Sequence, residues 1–195
     1  SCLLLITIYG QLRIKMKLSI VIVNWNTGEL LRQCLESIAT SCQALPASEV
    51  ELFVVDNGST DGSQDATKAA YPFRIKLIEN KQNVGFAQAN NQAIRQARGR
   101  YMLLLNPDTV VHREAFSTLM RFLDTHPQAG AVGPRLLNAD GTLQTSCYPA
   151  PTLSRELFRL FHLDALVPYG SYHMNNWHLD KPRQVDALLG ACLLV

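Results

Sequence analysis

The residues best suited to chemistry follow an apolar run near the middle of the chain. Residues 102–105 lead directly into Asn106-Pro107-Asp108. Pro107 disfavours the helical region for Asn106, so we expect an extended segment in which Asn106 and Asp108 point the same way. Two oxygen-bearing side chains directed at one spot suit a hard divalent cation that holds a diphosphate. The alternative is a strand that ends in an Asx-Pro turn.

Two further groups of polar residues stand at the ends of predicted strands. They are Asn24, Trp25 and Asn26 after the first strand, and Asp56 and Asn57 after the second. In a doubly wound sheet all three groups lie at the same carboxyl edge, where ligands bind. Trp25 could stack on a flat base or pack under the first helix, and Asp56 could bind a nucleoside or cap a turn. The coincidence of three strand ends favours a nucleotide-sugar site.

Apolar runs bounded by turn residues predict the strands. They are expected over residues 18–25, 50–55, 74–79, 102–105, 129–132 and 185–195, with a hairpin over residues 136–145 around an N-A-D-G turn. Helical patterns fall between them. Strands that alternate with helices predict an α/β fold with a parallel, doubly wound sheet.

Capping residues and helix-ending residues mark the expected helices. These begin at Asn26, at Asp61 or Ser63 (closing at Tyr71-Pro72), at Phe86 (ending near Gly99), at about Arg113 (ending at Thr125), and at Leu153 (ending at Phe161). Asn26 and Glu29 have the spacing of a capping box.

Composition indicates a globular enzyme-sized domain rather than a nucleic-acid-binding protein. The chain has 195 residues, 47% hydrophobic and 17% charged, with a net charge of +2 from 18 basic and 16 acidic residues. That balance argues against nucleic acid as a partner. Five scattered cysteines without metal-ligand spacing predict reduced, buried thiols and a cytosolic setting.

The two ends of the sequence suggest boundaries for the domain. We expect residues 1–15 to be an upstream segment outside the fold core and residues 16–195 to form the domain. The apolar start is too short to span a bilayer. The chain stops within an apolar run at Val195, which predicts a domain truncated at its carboxyl end.

Several common catalytic motifs do not occur in the sequence. There is no G-x-G-x-x-G after the first strand, no G-x-x-x-x-G-K-[ST] phosphate loop and no G-x-S-x-G nucleophile elbow. The five histidines lack zinc-binding spacing. These observations argue against dinucleotide enzymes, P-loop enzymes, serine hydrolases and zinc enzymes.

Four motifs, in order, resemble those of the inverting family-2 glycosyltransferases with the GT-A fold: V-I-V-N-W-N, V-V-D-N-G-S-T-D-G-S, N-x-G-F-A-x-A-N-N and L-L-N-P-D-T. The segment G-P-R-L-L-N-A-D-G-T-L-Q-T-S is similar to the rhamnosyltransferase-like branch, which builds bacterial cell-surface glycans. The resemblance covers residues 17–195. It implies a mostly parallel, mixed sheet flanked by helices.

The resemblance also implies roles for particular residues. Those expected to bind the nucleotide sugar are Asn24, Trp25, Asn26, Asp56, Asn57, Asn83, Gly85, Asn90 and Asn106. Asp108 matches the last acid of the family's D-x-D motif and is the expected ligand of Mg²⁺ or Mn²⁺, whereas Asn106 replaces the first acid. Gly190-Ala191 resembles the strand near the acceptor pocket.

The family's catalytic base lies on a segment beyond Val195, so this chain is expected to hold the donor-binding half of the site. The expected donor is a nucleoside-diphosphate sugar, with dTDP-rhamnose as a candidate, and the acceptor a glycan or a lipid-linked sugar. We expect a cytoplasmic protein without a membrane span, whose peripheral contact with the plasma membrane would come from other residues.

Two other functions fit the same pattern of residues. A sugar-phosphate nucleotidyltransferase would want a Gly-rich, basic loop after the first strand, and residues 24–27 carry no positive charge. A non-catalytic module that binds nucleotide sugars would keep the fold without the transfer reaction. Product formation separates this third function from the first.

Overall fold

The computed structural model describes residues 16–150, 152–162, 174, 177 and 181–195. The expected upstream segment, residues 1–15, lies outside the described residues, so that boundary stays a prediction.

Nine strands and four α-helices make up the described chain. The strands are β1 (Leu18–Asn24), β2 (Val50–Asp56), β3 (Arg74–Glu79), β4 (Tyr101–Leu105), β5 (Leu136–Leu137), β6 (Leu143–Gln144), β7 (Cys147–Tyr148), β8 (Ala187–Leu188) and β9 (Cys192–Leu194). The helices are α1 (Gly28–Ser41), α2 (Phe86–Ile94), α3 (Ala115–Thr125) and α4 (Leu153–Leu160), with 3₁₀ turns at Cys42–Ala44, Ala47–Glu49 and Ser63–Lys68.

Five of the strands form one mixed sheet in the order β3-β2-β1-β4-β9. The first four are parallel and β9 runs antiparallel to β4. Asn24 pairs with Asp56, and Asp56 with Glu79, so β1, β2 and β3 end in register. The carboxyl ends of these strands therefore share one edge, as expected for a site in a doubly wound sheet.

The sheet is covered on both faces, which explains the continuous apolar sequence of its central strands. All seven residues of β1 are buried. On one face Ile20 and Ile22 pack with Leu31 and Leu35 of α1 and with residues of α3. On the other face Val21 and Val23 pack in a smaller cluster that includes Ala89 and Ala93 of α2. The α/β expectation is confirmed.

The carboxyl-terminal part differs from the expected strands. Residues 129–132 form no strand; Val132 makes an isolated antiparallel bridge to Leu194. The long strand expected over residues 185–195 is two short ones, because β8 pairs with β7 in a separate two-stranded sheet. The chain must turn at Gly190 before β9 can pair with β4. The hairpin formed by β5 and β6 is confirmed.

The expected helix caps are wrong at two places. Thr27, not Asn26, precedes α1 and makes no capping hydrogen bond with its side chain. The N–H of Gly28, the first residue of α1, donates to Asp61 Oδ2 at 3.1 Å. Asn26 has a positive φ of 53°, and its Oδ1 accepts a hydrogen bond from the Thr60 N–H at 2.8 Å instead. The helix after β2 is a 3₁₀ helix preceded by Gly62, which ends at Lys68 before Tyr71-Pro72.

The expected bounds of three helices differ by a few residues. Helix α2 ends at Ile94 rather than near Gly99, α3 begins at Ala115, and α4 ends at Leu160. Helix ends commonly shift by this much because the last turns are weakly specified by sequence.

Candidate functional site

Asn24 and Asp56 form a buried pair at the carboxyl edge of the sheet. The exposed fraction of Asn24 is 0% and that of Asp56 is 4%. Asn24 Nδ2 donates to Asp56 Oδ1 at 2.7 Å, and the Ser59 N–H donates to Asp56 Oδ2 at 3.0 Å. Each carboxylate oxygen has a further lone pair, so Asp56 can accept additional hydrogen bonds while its orientation stays fixed.

Trp25 stands beside this pair with 54% of its surface exposed. It therefore does not pack beneath α1, and its ring offers an aromatic face to a ligand. Trp25 directly follows β1, and Asp56 ends the neighbouring strand β2. An exposed ring and a buried carboxylate are the two kinds of group that a nucleobase needs: a stacking surface and a hydrogen-bond acceptor.

Asn57 joins the end of β2 to the loop that follows β3. Its Nδ2 donates to Asn83 Oδ1 at 2.8 Å, and its Oδ1 accepts from the Val84 N–H at 3.0 Å. Asn57 is buried and Asn83 is exposed. Asn57 thus supports the loop from below, while Asn83 stands at its surface.

The start of α2 follows this loop. Gly85 has φ 88° and ψ 154°, and its N–H donates to Asn83 Oδ1 at 2.9 Å. A positive φ at this point favours glycine. Asn90 is buried and donates its Nδ2 to the Phe86 carbonyl at 2.9 Å, so it acts within α2. The exposed residues of this region are Asn83, Gly85 and Phe86.

Asn106-Pro107-Asp108 forms a turn rather than the extended segment that we expected. The Thr109 N–H donates to the Asn106 carbonyl at 3.3 Å, which closes a β-turn with Pro107 and Asp108 at its centre. Asn106 directly follows β4 and is the first residue of the turn. Pro107, the second residue of the turn, prevents the strand from continuing. The alternative Asx-Pro turn describes the backbone correctly.

Both Asn106 and Asp108 nevertheless line one cavity of about 880 Å³. Its other walls are the β5–β6 hairpin, with Arg135, Asn138 and Gln144, and the chain at Leu189, Ala191 and Cys192. Ala191 was expected near an acceptor pocket; its carbonyl accepts from the Asn106 N–H at 2.9 Å. The cavity is of the size that small-molecule ligands occupy.

Asp108 shares the cavity lining with the amide of Asn106, and this arrangement suits one kind of cation site. Among the described residues, no three histidine, cysteine or acidic side chains are close enough to hold a metal together. Asp108 is exposed and lines the cavity. Mg²⁺ is usually bound by one or two carboxylates together with substrate phosphates rather than by a protein cage. One exposed carboxylate fits a cation that arrives with a diphosphate.

The cysteines near the site are buried thiols rather than nucleophiles. Burial, with a smaller effect of the nearby Asp108 carboxylate, raises the pKa of Cys34 to about 12. Burial also raises the pKa of Cys192 to about 12. Because the thiolate is the reactive form, neither side chain is suited to covalent catalysis at neutral pH.

Sequence reasoning missed the small polar residues that support the site. Thr27 donates to Asn24 Oδ1 at 2.5 Å, and Asn24 Nδ2 also lies 2.7 Å from Ser63 Oγ and 3.1 Å from Ser59 Oγ. Asn80 and Gln92 bond reciprocally at 3.0 and 2.9 Å. The density of serine and asparagine in N-G-S-T-D-G-S was the available signal.

This geometry is accompanied by a family match over most of the chain. The model of the family described as Glycosyl transferase family 2 matches residues 19–175. The chain belongs to glycosyl transferase family 2. Its mixed, mostly parallel sheet between helices is the GT-A fold of that family, as expected.

Among curated relatives, this family-2 chain is similar to the N-acetylglucosaminyl-diphospho-decaprenol L-rhamnosyltransferase of Mycobacterium tuberculosis. The two are 28% identical over 197 residues, which cover 91% of this chain and 61% of the relative. The chain thus spans about three fifths of that relative's length.

Two solved structures of similar fold hold nucleotide sugars. Staphylococcus aureus TarS 1–349 in complex with UDP-GlcNAc has a TM-score of 0.58 and 27% identity, covering 67% of this chain and 38% of that one. The mannosyltransferase PcManGT of Pyrobaculum calidifontis, in complex with GDP-Man and Mn²⁺, has a TM-score of 0.56 and 25% identity, covering 63% and 36%.

The described helices of this family-2 chain are all too short or too polar to cross a membrane.

Proposed function

We propose that the chain is the donor-binding part of a glycosyltransferase that uses a nucleoside-diphosphate sugar. The observation that carries this proposal is that exposed Trp25 and buried Asp56 stand at the carboxyl ends of neighbouring strands, while Asp108 lines a cavity after β4. The family membership and the nucleotide sugars in two similar structures support it.

The nucleoside is assigned to the edge between β1 and β2. Trp25 stacks on the base, and the free lone pair of Asp56 accepts a hydrogen bond from the base or the ribose. Asn26 holds the neighbouring loop through its bond to Thr60. Asn24 and Asn57, both buried, support these residues from below.

The diphosphate is assigned to the region between Asp108 and the loop of Asn83 and Gly85. The exposed N–H groups at the start of α2 favour negative charge there. Asp108 holds Mg²⁺ or Mn²⁺, with Asn106 beside it in the cavity lining. A divalent cation bound there neutralises the charge that develops on a leaving diphosphate.

The donor sugar and the acceptor share the cavity of about 880 Å³. We assign rhamnose, carried by dTDP, as the candidate sugar because of the rhamnosyltransferase relative. That relative's name also suggests a lipid-linked acceptor. Transfer with inversion needs a base that deprotonates the acceptor hydroxyl. Asp108 is the one carboxylate in the described cavity lining and is assigned to the cation. Following the family resemblance, we assign the base to another segment.

This function places the protein in the cytoplasm, where nucleotide sugars are substrates, with peripheral contact at the membrane that carries a lipid-linked acceptor. Binding and transfer can be tested separately. A thermal-shift screen of nucleotide sugars with Mn²⁺ should raise the melting temperature for the true donor, because a ligand of the native state stabilises it.

Release of nucleoside diphosphate is then measured with acceptor present, in this chain and in a chain extended toward the length of its relatives. Stabilisation without turnover in the longer chain would indicate a binding module. Absence of stabilisation by every nucleotide sugar would contradict the proposal as a whole.

A further inference from the structure

The side chain of Asn24 is enclosed and fully engaged. None of its surface is exposed, and it makes contacts with four other side chains. A ligand at the sheet edge therefore cannot touch its amide. Asn24 can therefore affect ligand binding only through the residues that it contacts.

The orientation of the Asn24 amide follows from its partners. Thr27 Oγ1 lies 2.5 Å from Asn24 Oδ1, and Asp56 Oδ1 lies 2.7 Å from Asn24 Nδ2. A carboxylate only accepts hydrogen bonds, so it must face the NH₂ group. A flipped amide would place two oxygens together and lose the favourable bond. Asparagine, and not aspartate, is the residue that this position requires.

The same NH₂ group reaches the loop after β2. Ser63 Oγ lies 2.7 Å and Ser59 Oγ 3.1 Å from Asn24 Nδ2. The Ser63 hydroxyl bonds to the Asp61 carboxylate, which leaves its oxygen free to accept from Asn24. Ser59 in turn holds Asp56 through its N–H. The cluster of Asn24, Asp56, Ser59 and Ser63 is a closed network.

We propose that Asn24 is a positioning residue that orients the Asp56 carboxylate and keeps it the only buried charge at this point. This inference rests on the proposed function, in which Asp56 binds the nucleoside. With the amide in place, one oxygen of Asp56 is held by Asn24 and the other by Ser59. The remaining lone pair then points in a fixed direction. Asn24 contributes to nucleotide affinity without touching the nucleotide.

If the proposal is correct, replacing the Asn24 amide by a carboxylate should make nucleotide affinity depend on pH in a specific way. In Asn24→Asp two carboxylates would lie in hydrogen-bond contact within the core. Such a pair cannot ionise fully and retains one proton up to an elevated pH. While the proton is shared, the pair mimics the native hydrogen bond. Once it is lost, repulsion drives the two side chains apart and Asp56 loses its orientation.

Other charges around the pair are far more solvated. They are Glu79 on β3, Asp61, Asp65 and Lys68 after β2, Glu29 and Arg32 on α1, and Asp108 after β4. All of these residues are exposed, so water and salt screen them, whereas Asn24 and Asp56 are buried. A new pH dependence in the variant would therefore come from the buried pair.

The test measures the dissociation constant of UDP with Mg²⁺, and separately of dTDP and of GDP, from pH 5.5 to pH 8 for wild type, Asn24→Asp and Asn80→Asp. Asn80→Asp is the matched control, since it makes the same exchange at the same edge but faces amides rather than Asp56. Relative to wild type at each pH, Asn24→Asp should bind near-normally at the acid end and about tenfold more weakly at pH 8. Asn80→Asp should show a constant ratio.

The melting temperature of each variant at each pH shows whether the chain is folded. Asn24→Asp should lose stability over the same pH range in which it loses affinity. If it is too unstable to assay, Ser63→Ala, which removes one acceptor of the network, should weaken UDP binding while leaving the melting temperature within a few degrees. A flat affinity ratio for folded Asn24→Asp overturns the positioning role alone. A wild-type chain that binds none of UDP, dTDP and GDP overturns the proposed function and this inference together.

Discussion

The Asn57 amide donates to Asn83 Oδ1 at 2.8 Å, which ties the buried end of β2 to an exposed loop. Asp56, the preceding residue, bonds in the opposite direction to Asn24 on β1. Asp56 ends β2 and Asn57 follows it, so these two residues bond to chain on either side of β2. The end of β2 therefore holds both the end of β1 and the loop after β3.

Asn57→Ala should loosen the loop of Val84 and Gly85. The Val84 N–H loses its acceptor, which we expect to cost about 1–3 kcal/mol because the bond is partly buried. Hydrogen exchange at Val84 should accelerate. Asn138→Ala, which removes an exposed bond in the β5–β6 hairpin, is the control and should leave Val84 unchanged. Unaltered exchange at Val84 in Asn57→Ala would contradict the anchoring role.

Gly58→Ala should destabilise the chain more than Gly141→Ala. Both glycines have a positive φ, 80° and 83°. A Cβ on Gly58 would lie 2.8 Å from Gln82 Cα, whereas one on Gly141 has nothing within 4 Å. Gly141→Ala should cost roughly 1–2 kcal/mol from backbone strain alone, and Gly58→Ala clearly more. Denaturant unfolding of both variants measures the difference; equal losses would show that the loop at Gln82 yields freely.

Asp108→Ala should abolish the dependence of nucleotide-diphosphate binding on divalent cations. Because Asp108 is exposed, the melting temperature without ligand should change little. Calorimetric titration with UDP, in Mn²⁺ and in EDTA, checks this. Asp65→Ala removes an equally exposed acid that pairs with Lys68 and should retain the Mn²⁺ effect. Wild-type affinities for Asp108→Ala under both conditions would refute the metal assignment.

Trp25→Ala should weaken nucleotide binding without unfolding the chain. A lost base–aromatic stack typically costs about 1–3 kcal/mol, and more than half of the ring is already exposed. Asp56→Ala should weaken binding comparably, and it should also lower stability, because it leaves the buried Asn24 amide without its carboxylate. Titration and thermal unfolding of both variants separate the two effects. Unchanged binding in both would place the base elsewhere.

Stability should fall as pH rises above about 9. Burial raises the pKa of Cys34, Cys42 and Cys192 to about 12, compared with 9.0 for an ordinary thiol. Between these values the unfolded chain loses thiol protons that the folded chain keeps, so the unfolded state gains stability, by roughly 1 kcal/mol per thiol for the first pH unit. Cys42→Ala should show a shallower decline in urea unfolding between pH 9 and 10. An identical slope would mean that Cys42 ionises freely in the native state.

Sequence alone determined the class of fold and pointed to the sheet edge at which we propose the site. The buried strands β1 to β4 appear as apolar runs because both faces of a parallel sheet are covered, and each ends in polar residues that the topology brings together. The motifs around Asp56 and Asp108 pointed to the family that the match over residues 19–175 then established. These features depend on local patterns and on the fixed handedness of strand–helix connections.

The tertiary structure decided which polar residues face outward. Asn24, Asp56, Asn57 and Asn90 are buried, whereas Trp25 is exposed, although all stand in similar polar motifs. The sequence could not show which of them are buried, because an asparagine is the same letter whether its side chain bonds a ligand or a residue about thirty positions away. It also assigned Asn26 to a helix cap that it does not form and residues 129–132 to a strand that they do not build. At Asn26 a hydrogen bond from the distant Thr60 N–H takes the place of the helix cap, and at Val132 pairing is limited to one bridge with Leu194.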